Sequence, residues 1–381
     1  MNQTLNKMAA AVVAALFISA TCPSTTQAQT NVVRTQAGTM DRASIDGMIA
    51  GWPARPRLGA VEMMTKYGSP QEVTAERLIW RNAGPYKRIT VFNLETPHDF
   101  PLPHVDFLEH TISYDVPQAK VGDLVEFDAS STINRTVGEL SARCDLEGHN
   151  ILTLNLDHDI VSGKKTVEQA RKAFGEIVGQ DVRGEHPAYV EALQFKPSTP
   201  ALAAFSDKPV IPGSPVRAAD AKADAPRMNS RQQRDDAEVL AMVIAVDLNE
   251  VLAASEAQKE KISAPVMAYA KMLHQMHGLS MTQTMQLGEQ IGVTPVITPG
   301  VEALQKKGAG ELAALVPLEG AAFERAYIAA MVKGHAEVLG MIDSKLMKTA
   351  DNKAVKDHLT KMRAAVADHH AKAKALQSDL R

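Results

Sequence analysis

Four polar residues occupy positions where four long apolar patterns should face inward. They are Glu250, His277, His335 and His369, and each falls near the middle of its own predicted helix. Burying a polar side chain is unfavourable unless it is hydrogen-bonded or bound to a ligand. These residues are therefore the candidate site of the chain. Three imidazoles and one carboxylate suit a single Zn²⁺, Cu²⁺ or similar transition-metal ion better than a di-iron pair.

Two interpretations of this candidate site stay open. In the first, which the sequence favours, the four side chains form a buried hydrogen-bonded network that fixes the register of the helices without a ligand. In the second, the same side chains bind a metal ion, because imidazole and carboxylate groups are common metal ligands. Periodicity places the four residues on inward faces, but it does not establish that they converge on one point.

The helices that carry these residues are indicated by apolar spacings that alternate between three and four. The inward positions of the four helices are, in chain order, Val239, Val243, Val246, Glu250 and Ala253; Val266, Ala270, Leu273, His277, Ser280, Thr284, Leu287 and Ile291; Tyr327, Met331, His335, Val338 and Ile342; and Val355, Leu359, Met362, Val366, His369, Ala373, Leu376 and Leu380. Helices of about 25 residues with short connections predict an antiparallel four-helix bundle. This bundle should span residues 235–381, with a short extra helix over Glu302–Leu315 in a crossover.

The third predicted helix contains a run that is similar to a known family. Residues 326–335 read Ala-Tyr-Ile-Ala-Ala-Met-Val-Lys-Gly-His, and Tyr269 to Leu273 precede His277 in the second helix. These runs resemble an uncharacterised ferritin-like family of bacterial envelope proteins, which are often described as predicted outer-membrane proteins and carry a signal peptide. The resemblance covers about residues 235–380. It implies a helical bundle and an envelope location, but it implies no activity.

The last helix supports the same resemblance, and the first helix departs from it. Asp368-His369-His370 matches the paired histidines that the family has in its last helix. The family often has two glutamates, two residues apart, in its first helix. Here Glu250 fits the first of these, but Leu252 occupies the second position. Ferritin-like di-iron sites take glutamates and Glu-x-x-His pairs from their helices, and this half of the sequence contains no Glu-x-x-His.

The first 28 residues have the pattern of a cleaved secretory signal. Lys7 precedes an apolar run from Met8 to Ala20, and Thr26-Gln27-Ala28 fits the small-x-small cleavage rule. The apolar run is shorter than the roughly 20 residues that a membrane span needs. We therefore expect a periplasmic or outer-membrane-associated protein, with no transmembrane segment once the signal is removed.

Residues 45–195 predict an α+β domain with a small antiparallel sheet. The expected elements are a helix over Leu58–Tyr67, strands over Arg77–Trp80 and Arg88–Phe92, a helix over the ambiguous stretch Glu139–Ile160, and a helix that begins with the capping box Thr166–Gln169 and ends near Val178. Residues 196–234 contain six prolines among Ala, Ser and Asp. That composition predicts a linker without helix or strand.

A second group of residue types that suit a metal lies in the N-terminal half. His98, His104, Asp106 and His110 follow one another in a proline-containing stretch, but their spacing matches no zinc motif. The stretch is therefore interpreted as a solvated loop. Cys144 is the single cysteine left after signal removal, so it cannot form an internal disulfide, and it is interpreted as a buried bystander.

Charge and motifs narrow the classes of function. The chain has 41 basic and 44 acidic residues, which gives no basic footprint for nucleic acid. It contains no glycine-rich phosphate loop, no Gly-x-Ser-x-Gly elbow and no His-Glu-x-x-His motif. We expect an exported envelope protein with a non-catalytic binding or structural role, whose partners would be other envelope proteins. The alternative is a metal-binding protein or metalloenzyme that uses the bundle histidines.

The signal pattern makes a direct prediction about the mature chain. Because cleavage is expected after Ala28, mass spectrometry of the protein from intact cells should find an N-terminus at Gln29. A cytoplasmic chain that still begins at Met1 would contradict export.

Overall fold

A computed structural model gives the structure of residues 40–205, 207–218 and 231–380. The predicted signal peptide, residues 1–28, lies outside the described residues. The chain divides into two compact units, which we call the N-terminal unit, ending at Phe205, and the helical unit that follows it. In the part of the chain that the structure describes, no helix has both the length and the apolar character needed to cross a membrane.

The N-terminal unit is built on an antiparallel sheet of six strands in the order β1-β2-β3-β4-β6-β5. The strands are β1 Glu72–Val73, β2 Arg77–Ala83, β3 Tyr86–His98, β4 His104–Ser113, β5 Thr132–Asn134 and β6 Glu139–Cys144. The predicted antiparallel sheet is therefore confirmed, and it is larger than the two expected strands. Neighbouring strands are mostly joined by short turns, which is the connection that antiparallel pairing allows.

Seven helices accompany this sheet among the described residues of the N-terminal unit. They are α1 Arg42–Ile49, α2 Ala54–Tyr67, α3 Val121–Phe127, α4 Glu147–Val161, α5 Val167–Val182, α6 Ala188–Glu191 and α7 Pro200–Ala203. The capping box that begins α5 is confirmed, because Thr166 accepts from the backbone of Gln169 and the Gln169 side chain accepts from the backbone of Thr166. Both bonds satisfy backbone N–H groups that a helix start leaves free.

Two predictions for the N-terminal unit were wrong, and burial explains both. Residues Glu139–Cys144 form strand β6 rather than the start of a helix. A strand that is covered on both sides lacks the alternation of apolar and polar residues that marks a strand in a sequence. His98, His104 and Asp106 do not lie in a solvated loop, because they belong to β3 and β4 and their side chains are at most 15% exposed.

The helical unit contains four long helices and one of intermediate length. They are α8 Arg231–Ala257, α9 Ala264–Gln290, α10 Pro299–Leu315, α11 Gly320–Met341 and α12 Lys353–Asp379. Helix α11 continues into a π-helical turn over Ile342–Leu346. The helical character of the C-terminal region is thus confirmed, and α10 corresponds to the expected extra helix.

The apolar core of the helical unit is divided into two clusters by a polar layer. One cluster includes Val243 of α8 and Leu359 of α12, and the other includes Leu273 of α9 and Tyr327 of α11. Glu250, His277, His335 and His369 fall between the two clusters along their own helices and are all buried. The three-and-four spacing therefore identified the inward face of each helix.

The proline-rich stretch after residue 195 is less uniform than predicted. It contains the short helix Pro200–Ala203 and the two-residue strand β7, Val216–Arg217. Strand β7 pairs in parallel with β8, Val296–Ile297, within the helical unit. The expectation that this composition holds no helix or strand was wrong, because both elements are too short to be opposed by the intervening prolines.

His110 lies at the centre of the N-terminal sheet and is fully buried. Its Nδ1 accepts a hydrogen bond of 3.0 Å from the Asn150 amide, which fixes the neutral ring. Burial, assisted by the charge of Lys66, lowers the pKa of His110 to about 3. The imidazole therefore stays neutral in the folded protein at pH values where it is protonated in the unfolded chain.

We expect the neutral His110 to make the N-terminal unit sensitive to acid. In the unfolded chain the His110 ring has a pKa of about 6.5 and binds a proton below that pH, whereas the folded protein does not. The free energy of unfolding should therefore fall by up to about 1.4 kcal/mol for each pH unit below about 6.5. Urea unfolding across this pH range measures the slope, and the His110→Gln variant should have a flatter one. His186→Gln alters an exposed histidine and should keep the wild-type slope. Equal slopes for wild type and His110→Gln would contradict the prediction.

Candidate metal centre

Three histidines from three helices meet in the polar layer of the helical unit. His277 of α9, His335 of α11 and His369 of α12 each offer one ring nitrogen, and these nitrogens lie within 4.8 Å of one another. The ring centroids are 5.1–5.9 Å apart. The three residues are between 1% and 3% exposed, so the group is screened from solvent. The inward spacing of the helices therefore brings three of the four candidate residues to one point.

The outer nitrogens of two of these rings are held by groups that only accept hydrogen bonds. Nδ1 of His335 lies 2.8 Å from the Met331 carbonyl oxygen, one helical turn earlier. Nε2 of His369 lies 3.2 Å from the Met276 sulfur. A carbonyl oxygen cannot donate and a thioether is a weak acceptor, so each outer nitrogen carries the proton. In a neutral ring this leaves the lone pair on the inner nitrogen.

The third ring is oriented by a carboxylate. Nδ1 of His277 donates to Oδ1 of Asp247 over 2.8 Å, and Asp247 is fully buried on α8. A carboxylate on the outer nitrogen is the arrangement found behind metal-bound histidines, where it fixes the tautomer and makes the ring a better ligand. The lone pair of His277 is then on Nε2, as it is in His335.

The inner nitrogens have no hydrogen-bond partner among the described residues. They are Nε2 of His277, Nε2 of His335 and Nδ1 of His369, and all three are buried. When all three rings are neutral, each of these nitrogens carries a lone pair that no described donor reaches. A buried network that only fixed the helix register would pair these nitrogens with donors. One water molecule donates two hydrogen bonds and would leave the third nitrogen unsatisfied.

The three histidine rings differ in how their surroundings shift their pKa values. Burial, together with the charges of His277 and His335, lowers the pKa of His369 to about 3. Burial also lowers the pKa of His335. Burial acts in the same direction on His277, but its hydrogen bond to Asp247 and the charge of Glu250 outweigh it and raise the pKa. His335 and His369 therefore favour the neutral form that binds metal ions, whereas Asp247 and Glu250 favour a proton on His277, which a bound ion would displace.

Glu250 lies beside the histidine group and not within it. Its Oε1 is 4.0 Å from Nδ1 of His335, the outer nitrogen of that ring. Its Oε2 is buried and has no hydrogen-bond partner in the described part of the chain. The carboxylate lines a cavity of about 190 Å³ whose wall also includes Lys307, Glu311 and Glu337. Glu250 thus stands between this cavity and the histidines.

Asp247 is the functional residue that the sequence did not reveal. It follows Val246, an inward position, and precedes Glu250 by three residues, so it lies on the same side of α8. The available signal in the sequence was an acidic residue directly after the apolar run Ala241 to Val246. Strict three-and-four spacing excluded it, because each apolar stripe is wider than the single row that this spacing selects.

Comparison with known proteins adds one finding. Residues 218–376 match the family model described as a domain of unknown function, DUF4142. The chain contains a DUF4142 domain. All three histidines, Asp247 and Glu250 lie within the matched residues. No curated protein and no solved structure matches the chain. This match supports the resemblance of the C-terminal region to an uncharacterised family.

The unpaired lone pairs predict opposite effects of the same substitution at different rings. In chelator-treated protein, the double variant His335→Leu/His369→Leu removes two unsatisfied nitrogens, so its free energy of unfolding should be unchanged or higher. His277→Leu leaves the buried Asp247 carboxylate without its histidine partner and should lower the free energy of unfolding by about 1–3 kcal/mol. Urea unfolding of the full chain measures both. If the double variant loses as much stability as His277→Leu, the rings act as structural side chains.

Proposed function

We propose that this chain is an exported envelope protein whose DUF4142 domain binds one transition-metal ion in a non-catalytic role. The observation that carries the proposal is the convergence of three buried imidazoles whose inner nitrogens have no hydrogen-bond partner among the described residues. A cation is the partner that satisfies all three at once. Neutral imidazole is a ligand for Zn²⁺, Cu²⁺, Ni²⁺ and iron, so the set fits a borderline divalent ion rather than Mg²⁺ or Ca²⁺.

The distances support this proposal. A tetrahedral ion with bonds of about 2.0–2.1 Å to nitrogen needs ligand nitrogens roughly 3.3 Å apart. One nitrogen from each ring lies within 4.8 Å of the other two, so rotation of the rings would bring the inner nitrogens to such an ion. Their helices are anchored by apolar residues on both sides of the polar layer, which keeps the rings close together before an ion arrives.

The fold that we propose for this domain is a ferritin-like four-helix bundle made of α8, α9, α11 and α12. Each of these helices is at least 22 residues long and contributes a side chain to the polar layer. A site built from side chains on facing helices is the usual form of metal site in such bundles. One helix supplies Asp247, which positions a ligand, and the other three supply one imidazole each.

Export through the signal pattern at residues 1–28 is the part of the proposal that rests on the sequence. An envelope location agrees with the resemblance of residues 235–380 to proteins of the bacterial envelope. In that compartment the protein would take up its ion after export, and the site would then store or buffer it.

A metalloenzyme is the second candidate, and the open fourth ligand position favours it. Three protein ligands leave a tetrahedral ion one position for water or substrate. Glu250 lines the adjoining cavity, and its Oε2 has no hydrogen-bond partner among the described residues. Azide added to the Co²⁺-loaded protein distinguishes the two candidates, because only an exchangeable position lets it change the visible absorption spectrum.

Metal binding by the histidines is tested by thermal unfolding of metal-stripped full-length protein with Zn²⁺ or Cu²⁺ added. An ion present at 100 times its Kd should stabilise the protein by about 2.7 kcal/mol and raise Tm. His335→Leu and His369→Leu each remove one ligand. Each variant should therefore lose the part of the gain in Tm that comes from binding at the three histidines. Asp247→Asn keeps all three ligands and should weaken binding by about 10–100-fold through His277.

His370→Leu is the matched control, because this histidine is the next residue of α12 and is not one of the three that converge. It should keep the full gain in Tm. Metal analysis of protein purified without chelator or nickel resin complements the titration. An equal gain in wild type and in His369→Leu would refute the proposal, because the ion would then bind outside the three histidines.

A further inference from the structure

A second group of metal-binding side chains lies in the N-terminal unit, at one end of three adjacent strands. Strand β3 ends at His98 and β4 begins at His104, and these two residues are directly opposite each other in the antiparallel register. Asp106 follows two residues later on β4, so its side chain is on the same face as that of His104. Cys144 ends β6, the strand on the other side of β4.

The four side chains form a continuous chain of short contacts. Nδ1 of His98 is 3.2 Å from Oδ2 of Asp106. Oδ1 of Asp106 is 3.0 Å from Nε2 of His104, and the same Nε2 is 3.2 Å from the sulfur of Cys144. Asp106 and Cys144 are about 5% exposed, and the two histidines are 11–15% exposed. The group is therefore buried but reachable from solvent through its histidines.

The hydrogen bonding of these contacts is incomplete. His104 donates from Nδ1 to the Leu102 carbonyl over 2.9 Å, so in the neutral ring its lone pair on Nε2 points at Asp106 and Cys144. Oδ1 of Asp106 and Nδ1 of His98 are buried and form no aligned hydrogen bond with any described residue. Ligands of one metal ion also lie about 3 Å apart without the alignment that a hydrogen bond between them would need.

We infer that His98, His104, Asp106 and Cys144 form a second metal site, which binds one Zn²⁺ ion. Two nitrogens, one oxygen and one thiolate are all ligands that zinc accepts. Bonds of about 2.0–2.3 Å in a tetrahedron place neighbouring ligand atoms roughly 3.3–3.6 Å apart. The three contacts along the group, 3.0–3.2 Å, are close to that spacing. His98, His104 and Asp106 each offer one ligand atom within 4.8 Å of the other two, and Cys144 joins them through its contact with His104. On binding, the thiol loses its proton to solvent and the sulfur bonds to the ion.

The ligand set is closed, which indicates a structural role. Four protein ligands leave no open position of the kind that a catalytic zinc site keeps. The ion would join the end of the β3–β4 hairpin to the end of β6, which are more than 35 residues apart in the sequence. Metal binding would then contribute directly to the stability of the sheet.

Two other interpretations of the group are weaker. Burial raises the pKa of the Cys144 thiol, so the residue is not an activated nucleophile. A salt bridge between protonated His104 and Asp106 would satisfy the carboxylate. The Cys144 thiol would then donate to Oδ1 of Asp145 over 3.4 Å, but neither contact engages Nδ1 of His98.

The test replaces zinc by Co²⁺, whose bond to a thiolate gives a charge-transfer absorption band in the near ultraviolet. The metal-stripped full chain carries His335→Leu/His369→Leu, so that the site in the DUF4142 domain does not contribute. We expect the band to saturate at one Co²⁺ per chain and to disappear when Zn²⁺ is added. Adding Cys144→Ala should abolish the band, whereas His186→Gln, which alters an exposed histidine outside the group, should leave it unchanged.

His98→Gln and Asp106→Asn keep the thiol and lose one ligand each. They should bind Co²⁺ at least about tenfold more weakly, which protects the test if Cys144→Ala does not fold. The absence of a thiolate band in a chain with the wild-type circular dichroism spectrum would overturn the inference and leave only the His104–Asp106 salt bridge. Because this background lacks two imidazoles of the helical site, that failure would not affect the proposed function.

Discussion

The helical unit depends on one property of the imidazole ring. A neutral ring has one nitrogen that donates and one that accepts, so fixing the donor fixes the acceptor. His335 donates to a carbonyl of its own helix and His277 donates to Asp247. Once these outer bonds form, the inner nitrogens of the neutral rings are acceptors, and all of them are buried. Each inner nitrogen is thus a buried polar atom without a hydrogen-bond partner among the described residues, which is unfavourable.

Much of the helical site was predictable because helix periodicity is local. The positions of His277, His335 and His369 on inward faces follow from their neighbours within two turns, and no knowledge of the other helices is needed. The role of Glu250 was harder to predict. Its position on the inward face is as expected, but the side chain reaches the outer nitrogen of His335 and a cavity instead of the inner nitrogens. Side-chain direction depends on packing between helices, which periodicity does not describe.

The N-terminal unit was predictable only in part, because sheet pairing is not local. The capping box at Thr166 is contained in four residues and was found from them. The pairing of His98 with His104, and the approach of Cys144 from another strand, depend on register between segments far apart in the sequence. The prolines around His98 favoured a loop, but the backbone there still pairs along the hairpin.

The two candidate sites illustrate different ways of building a binding point. In the helical unit each candidate ligand comes from a separate helix. The outer nitrogen of His335 bonds to a carbonyl of its own helix and that of His369 contacts a sulfur, whereas that of His277 donates to the buried Asp247. In the N-terminal unit three ligands lie within nine residues of one hairpin, and only Cys144 comes from elsewhere. A site of the first kind needs the whole unit to be folded before its ligands meet. A site of the second kind can assemble when one hairpin and one further strand have paired, so its ion can stabilise the sheet from an early stage of folding.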